Sequence, residues 1–215
     1  MSMYRKNIFP CHYFHSRVED NEALKRVLLP YVAQTLDDVK EPPDGWLTNN
    51  LKTSFENDEI NKNFFTDNDM AKEIHRQYGN TLKTFFDQDY DAEIINLWYN
   101  CYENGEWQEA HRHMGDPLDP IHFAAVHFLS FNPKIHQPLV FNDPLMIYRA
   151  GGIDQTYCNE KYYVHAKEGD LIMFPSWMEH EVKPGPPTPD YPRITLSFNV
   201  RMHQYGDYGQ NKSIR

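Results

Sequence analysis

The sequence predicts a mainly β protein with helices confined to its N-terminal part. After Asp91, short stretches with strand character follow one another closely and are separated by turn residues, a density typical of a sandwich or barrel. Before that point, two segments carry apolar residues at helical spacing. Residues 193–198 of the last predicted strand alternate strictly between polar and apolar side chains. If its polar face lines a barrel, its apolar face needs a cover, and we expect the two helices to pack there.

Composition excludes several classes of protein. The 215 residues suit one domain, and a net charge of −10 disfavours nucleic acid and anionic membranes as partners. Cys11, Cys101 and Cys158 lack metal-type spacing and are odd in number, which favours a reducing compartment. No apolar run reaches membrane-spanning length, so we expect a cytoplasmic protein. Exposed strand edges leave a homodimer open.

The N-terminal part, residues 1–92, is predicted to support the barrel. A strand is expected at about residues 8–13, followed by a helix from about Glu19 that Pro30 should kink or divide. The apolar face of this helix consists of Leu24, Val27, Leu28, Tyr31, Val32 and Leu36. A turn at 41–45 precedes a possible extended strand at 46–55. Residues 67–69 then offer caps for a second helix, whose face is Met70, Ile74, Tyr78, Leu82 and Phe85.

The barrel core is predicted to span residues 93–202, and residues 203–215 form an irregular tail. We expect a mobile loop at 150–160 that could cover a substrate. The predicted strands lie at about 93–103, 107–114, 122–131, 138–142, 145–149, 161–166, 170–174, 180–184 and 193–202.

Three histidines form a candidate metal site. His111 and His113 are two residues apart, so in a strand both imidazoles point the same way and can reach one ion. His180 follows a short apolar strand and a Pro-Ser stop, and it can close the triad from another strand. Nitrogen ligands on one face of a mononuclear site suit Fe(II). A histidine pair alone is a weak signal in a chain with eleven histidines, and the downstream pattern strengthens it.

Arg193 and Thr195 share the polar face of the last strand. A guanidinium at the base of a pocket can bind a carboxylate through two parallel hydrogen bonds, and a hydroxyl two residues along reaches the same group. Asn100 is a further candidate for binding such a ligand. The alternative is an arginine paired with Asp190 or another acid at an exposed rim.

These residues resemble a known family, the iron(II)- and 2-oxoglutarate-dependent oxygenases, which are double-stranded β-helix enzymes of jelly-roll or cupin-like architecture. More narrowly, they resemble a bacterial and bacteriophage group of such oxygenases. The matching segments are Trp98-Tyr99-Asn100, Gly105, Gln108, His111-Arg112-His113, Phe141-Asn142-Asp143-Pro144, Gly169 to Trp177 with His180, and Arg193 to Asn199.

The resemblance implies iron ligands at His111 and His180, with Arg193 and Thr195 on the distal carboxylate of 2-oxoglutarate. The superfamily usually has Asp or Glu where this chain has His113. His113 is favoured as the third ligand because the narrower group carries histidine there. Asp116 and Glu109 remain alternative ligands.

The resemblance implies an oxygenase that uses Fe(II), 2-oxoglutarate and O2 and releases succinate and CO2. We expect it to hydroxylate a peptide, a protein side chain or a small metabolite. One alternative is a cupin-like dioxygenase or isomerase that uses the three histidines without 2-oxoglutarate. Another is a jelly-roll binding protein without enzymatic activity.

Overall fold

A computed structural model describes residues 11–39, 42, 46–48, 50–85, 90–144 and 161–204. The predicted strand at 145–149, the loop at 150–160 and nearly all of the 203–215 tail lie outside the described residues, as does most of the 41–45 turn. None of the helices in the described ranges is long and apolar enough to cross a membrane.

The chain begins with β1 (Phe14–Arg17) and α1 (Asn21–Thr35), and continues through β2 (Lys52–Thr53), α2 (Asp58–Asn61), a 3-10 turn (Lys62–Phe64) and α3 (Asp69–Lys83). The remaining elements are β3 (Tyr90–Tyr102), β4 (Gln108–His111), β5 (Phe123–Ser130), β6 (Leu139–Asn142), β7 (Lys161–Tyr163), β8 (Asp170–Pro175), β9 (His180–Val182) and β10 (Arg193–Gln204).

The strands form two antiparallel sheets. The major sheet has the order β1-β8-β5-β10-β3-β2, and the minor sheet has the order β4-β9-β6-β7. An apolar cluster from β5, β6 and β8 fills the space between them and includes Phe128, Phe141 and Phe174. The mainly β fold class is therefore confirmed, and β3 and β10 form the longest pairing, from Tyr90 to Tyr102 against Arg193 to Gln204.

A second apolar cluster covers the other face of the major sheet. It contains the alternate apolar residues of β10, namely Ile194, Leu196 and Phe198. It also contains buried residues from both long helices: Leu24, Leu28, Val32, Met70, Ile74, Tyr78 and Leu82. The ring of Tyr78 stacks on Phe198 with centroids 4.9 Å apart, so α3 packs against the strand that carries the candidate anion site. The polar residues of β10 consequently lie on the inner face of the sheet.

The helices differ from their predictions in detail. Helix α1 continues through Pro30 and is not divided, because proline removes only one intrahelical hydrogen bond and Leu28 and Val32 are buried on both sides of it. Asp20 caps α1 by accepting from the Ala23 backbone N–H, and Asn68 caps α3 by accepting from that of Ala71.

Two strands predicted near the N-terminus differ from the structure in position or extent. Residues 11–13 of the strand predicted at 8–13 are not in a strand, since β1 begins at Phe14, and residues 8–10 lie outside the described residues. Among the described residues of the predicted 46–55 strand, Lys52 and Thr53 pair with β3, and the Ser54 backbone N–H donates to the carbonyl of Tyr99 at 3.0 Å. A short helix follows instead, because Asn57 caps it by accepting from the Ile60 N–H.

The turn between β3 and β4 packs against the segment that leads into β10. Gly105 has φ of +86°, and a Cβ atom there would lie 2.5 Å from the carbonyl oxygen of Gly185. Thr188 also donates its backbone N–H to the carbonyl of Glu103 at 2.6 Å. These contacts hold the proline-rich segment 184–192 beside the end of the barrel where Arg193 enters.

Candidate active site

Three histidines come together from two neighbouring strands of the minor sheet and the residues just after one of them. His111 is the last residue of β4 and is the register partner of His180, the first residue of β9. His113 lies beyond β4, so the prediction that both histidines share one strand is wrong for this residue. Its backbone N–H instead donates to the carbonyl of Ser176 at 2.9 Å, which holds His113 beside the segment between β8 and β9.

The three imidazoles are close enough to bind one ion. Their ring centroids are 4.2 Å apart for His111 and His180, 5.1 Å for His111 and His113, and 5.0 Å for His113 and His180. One nitrogen from each ring lies within 4.8 Å of the others. This spacing allows three nitrogen ligands around a single metal ion and leaves its other side open.

Hydrogen bonds fix the tautomer of each ring. The Nδ1 atoms of His111 and His180 lie 2.8 and 3.1 Å from the backbone carbonyls of Glu109 and Met178. The Nδ1 atom of His113 lies 2.8 Å from the side-chain oxygen of Asn199. Because these oxygens only accept, each Nδ1 carries the proton and each Nε2 keeps a free lone pair. The Nε2 atom of His113 is buried without a hydrogen-bond partner.

The surroundings keep the imidazoles neutral. Burial, together with the nearby His111, lowers the pKa of His113 to about 4. Burial also lowers the pKa of His180 well below its ordinary value, and His111 and His113 lower it further. Burial is likewise the largest cause of the lowered pKa of His111. Neutral imidazole is the form that binds metal, so the site is ready for an ion at physiological pH.

The two alternative carboxylate ligands lie outside this histidine cluster. Asp116 is exposed, and its Oδ1 accepts from the backbone N–H of Leu118 at 2.8 Å. Glu109 accepts the backbone N–H of Leu47 through Oε1 at 3.1 Å, while its Oε2 is buried without a partner. Within the described residues, the group able to hold a metal consists of His111, His113 and His180.

Arg193 is a buried cation without a buried anion. Its residue is 3% exposed, and its Nε and Nη1 atoms have no hydrogen-bond partner. The guanidinium carbon lies 4.5 Å from the ring centroid of Tyr102, and no carboxylate in the described part of the chain forms an ion pair with it. Burial lowers the pKa of Arg193, yet a guanidinium stays charged in proteins. An unpaired buried charge is costly, so a bound anion would stabilise this position.

One cavity connects the cation to the histidines. It is lined on its polar side by Asn100, Gln108, His111, His113, His180, Arg193, Thr195 and Ser197. The pairing of β3 with β10 sets Asn100 opposite Thr195 and Tyr102 opposite Arg193. Asn100 donates through Nδ2 to the Ser197 hydroxyl at 3.2 Å, which leaves its buried Oδ1 without a partner. Rotating this amide by 180° would let the Ser197 hydroxyl donate to Oδ1 and turn Nδ2 toward the cavity.

Some residues at the site could not be assigned from sequence. Trp98, named above only within a matching segment, stacks on His113 with centroids 5.7 Å apart, and its buried Nε1 has no partner. Trp46 stacks on His111 at 6.4 Å. Asn199 was part of the quoted motif without a role. Its position at even spacing from Arg193, Thr195 and Ser197 was the available signal that it shares their face of the strand.

Comparisons with known proteins agree with this geometry. Residues 96–199 match the family model described as "Putative 2OG-Fe(II) oxygenase". The fold is that of solved 2-oxoglutarate-dependent oxygenases, a double-stranded β-helix, and the family match agrees with the resemblance that the motifs indicated. No curated protein matches the chain in sequence.

Three solved structures show how widely this fold is shared. A Pseudomonas putida prolyl-4-hydroxylase superposes with a TM-score of 0.55 at 13% identity, covering 89% of this chain and 92% of the other. SnoN, a non-heme α-ketoglutarate-dependent epimerase from nogalamycin biosynthesis, superposes with a TM-score of 0.62 at 12% sequence identity, covering 95% of this chain and 88% of the other. HygX from Streptomyces hygroscopicus, solved with nickel and 2-oxoglutarate bound, superposes with a TM-score of 0.56 at 8% sequence identity, covering 88% of this chain and 82% of the other. At these identities the likeness concerns the fold alone.

Proposed function

We propose that this chain is an Fe(II)- and 2-oxoglutarate-dependent oxygenase that hydroxylates a peptide, a protein side chain or a small metabolite. One observation carries the proposal: three neutral imidazoles and a buried, unpaired guanidinium line the same cavity. The first group suits a divalent metal and the second suits a carboxylate. A single small molecule that chelates the metal at one end and carries a carboxylate at the other satisfies both.

The metal ligands in this proposal are His111, His113 and His180. Their donor set fits Fe(II), because each ring has a free Nε2 and none carries charge. Three neutral ligands leave the ion with its full double positive charge, which a dianionic co-substrate would offset. When bound, iron and 2-oxoglutarate supply the oxidative chemistry, in which O2 is consumed and succinate and CO2 are released.

Arg193 binds the distal carboxylate of 2-oxoglutarate, and Thr195 supplies a hydroxyl to the same group. Arg193 is 3% exposed and Thr195 is 1% exposed, so their hydrogen bonds to the carboxylate form where water does not compete. Asn100 donates its amide N–H to the co-substrate after the rotation that Ser197 permits. The rings of Tyr102 and Phe128 hold the guanidinium plane, with centroids 4.5 and 5.6 Å from its carbon.

Apolar side chains keep the site dry. Leu139, Phe174 and Val182 line the cavity next to the histidines, and the ring of Phe174 lies 4.6 Å from that of His180. Exclusion of water strengthens the binding of charged groups and protects reactive species from side reactions. Trp46 and Trp98 flank the metal ligands and limit the directions from which a substrate approaches.

The proposal is tested by incubating the purified protein with Fe(II), 2-oxoglutarate and O2 and measuring succinate. We expect succinate above the level of a His180→Ala control, since uncoupled turnover does not need the prime substrate. Absence of succinate together with stoichiometric iron binding would favour the second candidate, a three-histidine dioxygenase or isomerase. The neutral donor set supports that candidate, and Arg193 would then bind the carboxylate of the substrate itself.

A further inference from the structure

The three histidines obtain their Nδ1 hydrogen bonds from acceptors of two kinds. His111 and His180 each use the backbone carbonyl of the residue two positions earlier, Glu109 and Met178. Those acceptors do not depend on side-chain identity. His113 uses instead the side-chain oxygen of Asn199, which lies 86 positions away in sequence. Among the three, His113 alone owes its orientation to a side chain.

His113 needs such a partner because little else selects its orientation. It lies beyond the end of β4, and its backbone is held by one hydrogen bond to Ser176. Its ring stacks on Trp98 with an interplanar angle of 19°. A 180° rotation about the Cβ–Cγ bond keeps the ring in the same plane and exchanges Nε2 with Cε1, so stacking does not decide whether Nε2 faces the other histidines. The bond to Asn199 makes that choice.

Asn199 is itself well fixed. It is 3% exposed, and its backbone N–H donates to the side-chain oxygen of Asn96 at 3.2 Å. The pairing of β10 with β3 shifts register directly after it, between Asn199 and Val200. This backbone anchoring places the side-chain oxygen of Asn199 2.8 Å from the Nδ1 atom of His113. Because an amide oxygen is neutral, it holds the N–H without adding charge beside the site.

We infer that Asn199 is a positioning residue that selects the metal-binding tautomer and orientation of His113. It thereby allows histidine to serve where the superfamily usually has a carboxylate. The inference deepens the proposed function and rests on it for the metal, but the tautomer itself can be measured without any ion. Strand β10 then serves both groups of the site, with Arg193 and Thr195 in the cavity and Asn199 behind His113.

The first test reads the tautomer of the ligand-free protein by long-range 1H–15N spectroscopy of 15N-labelled histidines. The His113 signal is assigned by its absence from His113→Gln. In wild type we expect the proton on Nδ1. Asn199→Leu, similar in size but without an acceptor, should shift the population toward Nε2–H, while Asn199→Asp should retain Nδ1–H. An unchanged tautomer in Asn199→Leu would overturn the inference.

The second test titrates wild type and variants with Co(II), whose visible absorption reports its coordination. Loss of an orienting partner typically weakens metal binding by about 10–100-fold, so we expect that loss in Asn199→Leu and recovery in Asn199→Asp. Asn142→Ala is the matched control, because Asn142 donates to Glu179 beside the site and not to a histidine. Equal affinity in Asn199→Leu and wild type, or equal losses in both Asn199 variants, would overturn the inference. If wild type binds no Co(II), the metal proposal fails, and the tautomer measurement still decides the role of Asn199.

Discussion

His111 and His180 are register partners across β4 and β9, and their ring centroids are 4.2 Å apart. A pairing between two strands therefore sets the distance between two candidate metal ligands. Since both also bond through Nδ1 to nearby carbonyls, their Nε2 atoms are arranged before any ion arrives. Mutation of these ligands is therefore the most direct test of the proposed metal site.

Replacing His180 by alanine should abolish stoichiometric metal binding. The variant removes the ligand that is buried deepest and leaves two nitrogens, which are too few for a stable mononuclear site. Anaerobic Fe(II) or Co(II) titration measures the effect. His75→Ala, at an exposed histidine of α3, serves as the control and should bind like wild type. Retained one-to-one binding in His180→Ala would remove this residue from the ligand set.

Replacing Arg193 by alanine should weaken 2-oxoglutarate binding and leave metal uptake nearly intact. Hydrogen bonds to a charged group contribute about 1.5–3 kcal/mol each, so loss of a two-bond contact predicts about 100-fold weaker affinity or more. Calorimetry with the Co(II)-loaded protein measures this. Arg201→Ala is the control, because Arg201 pairs with Glu93 and Asp119 outside the cavity. Equal 2-oxoglutarate affinity in wild type and Arg193→Ala would contradict the assignment.

Replacing Arg193 by methionine should stabilise the ligand-free protein. The change removes a buried charge without an ion-pair partner and keeps a similar volume between Tyr102 and Phe128. Replacing buried ionic groups by apolar ones gains about 1–4 kcal/mol in favourable cases, which at roughly 2–4 °C per kcal/mol raises Tm by several degrees. Scanning calorimetry tests this. A lower Tm in Arg193→Met would show that the guanidinium contributes to folding rather than to ligand binding.

Stability should fall as pH drops below neutrality, partly because of His127 in the helix-facing core. Burial lowers the pKa of His127 from 6.5 to about 3, and its Nδ1 is hydrogen-bonded to the Tyr78 hydroxyl at 2.9 Å. Between these pH values the unfolded chain takes up a proton that the folded one excludes, so stability is lost on acidification. At about 1.4 kcal/mol per pKa unit, lowering the pH from 6.5 to 4.5 costs about 2–3 kcal/mol through this residue.

Urea unfolding of wild type and His127→Gln between pH 7 and 4.5 measures this contribution. The variant should start less stable but show a weaker dependence on pH. His75→Gln, which alters an exposed histidine, should follow the wild-type curve. Parallel curves for wild type and His127→Gln would show that His127 does not resist protonation.

Local sequence patterns predicted most of the barrel. The strict alternation of β10 identified both its covered face and its cavity face, and eight predicted strands coincide with observed ones to within a few residues. The histidines His111, His113 and His180 were identified as candidates from their positions near predicted strands, although the third ligand stayed open between His113, Asp116 and Glu109. Such features depend on the period of a strand and on turn residues, which are visible in one sequence.

Features that depend on contacts between distant segments could not be predicted. The bond from His113 to Asn199 spans 86 positions, and the contact of Trp46 with His111 depends on how an irregular segment crosses the barrel. The helix α2 was not predicted, because its four residues are too few to show a helical period in the sequence. Choosing between His113, Asp116 and Glu109 likewise required knowing which side chains face one point.

The central claim is that the histidines hold Fe(II) while Arg193 holds the far carboxylate of 2-oxoglutarate chelated to it. Anaerobic addition of 2-oxoglutarate to the Fe(II)-loaded protein tests this most directly, because the chelate has a weak visible charge-transfer band. We predict that the band saturates at one equivalent in wild type, needs far more 2-oxoglutarate in Arg193→Ala and is absent in His180→Ala. A wild-type protein that binds Fe(II) yet never develops the band, or a His180→Ala variant that does develop it, would contradict the account.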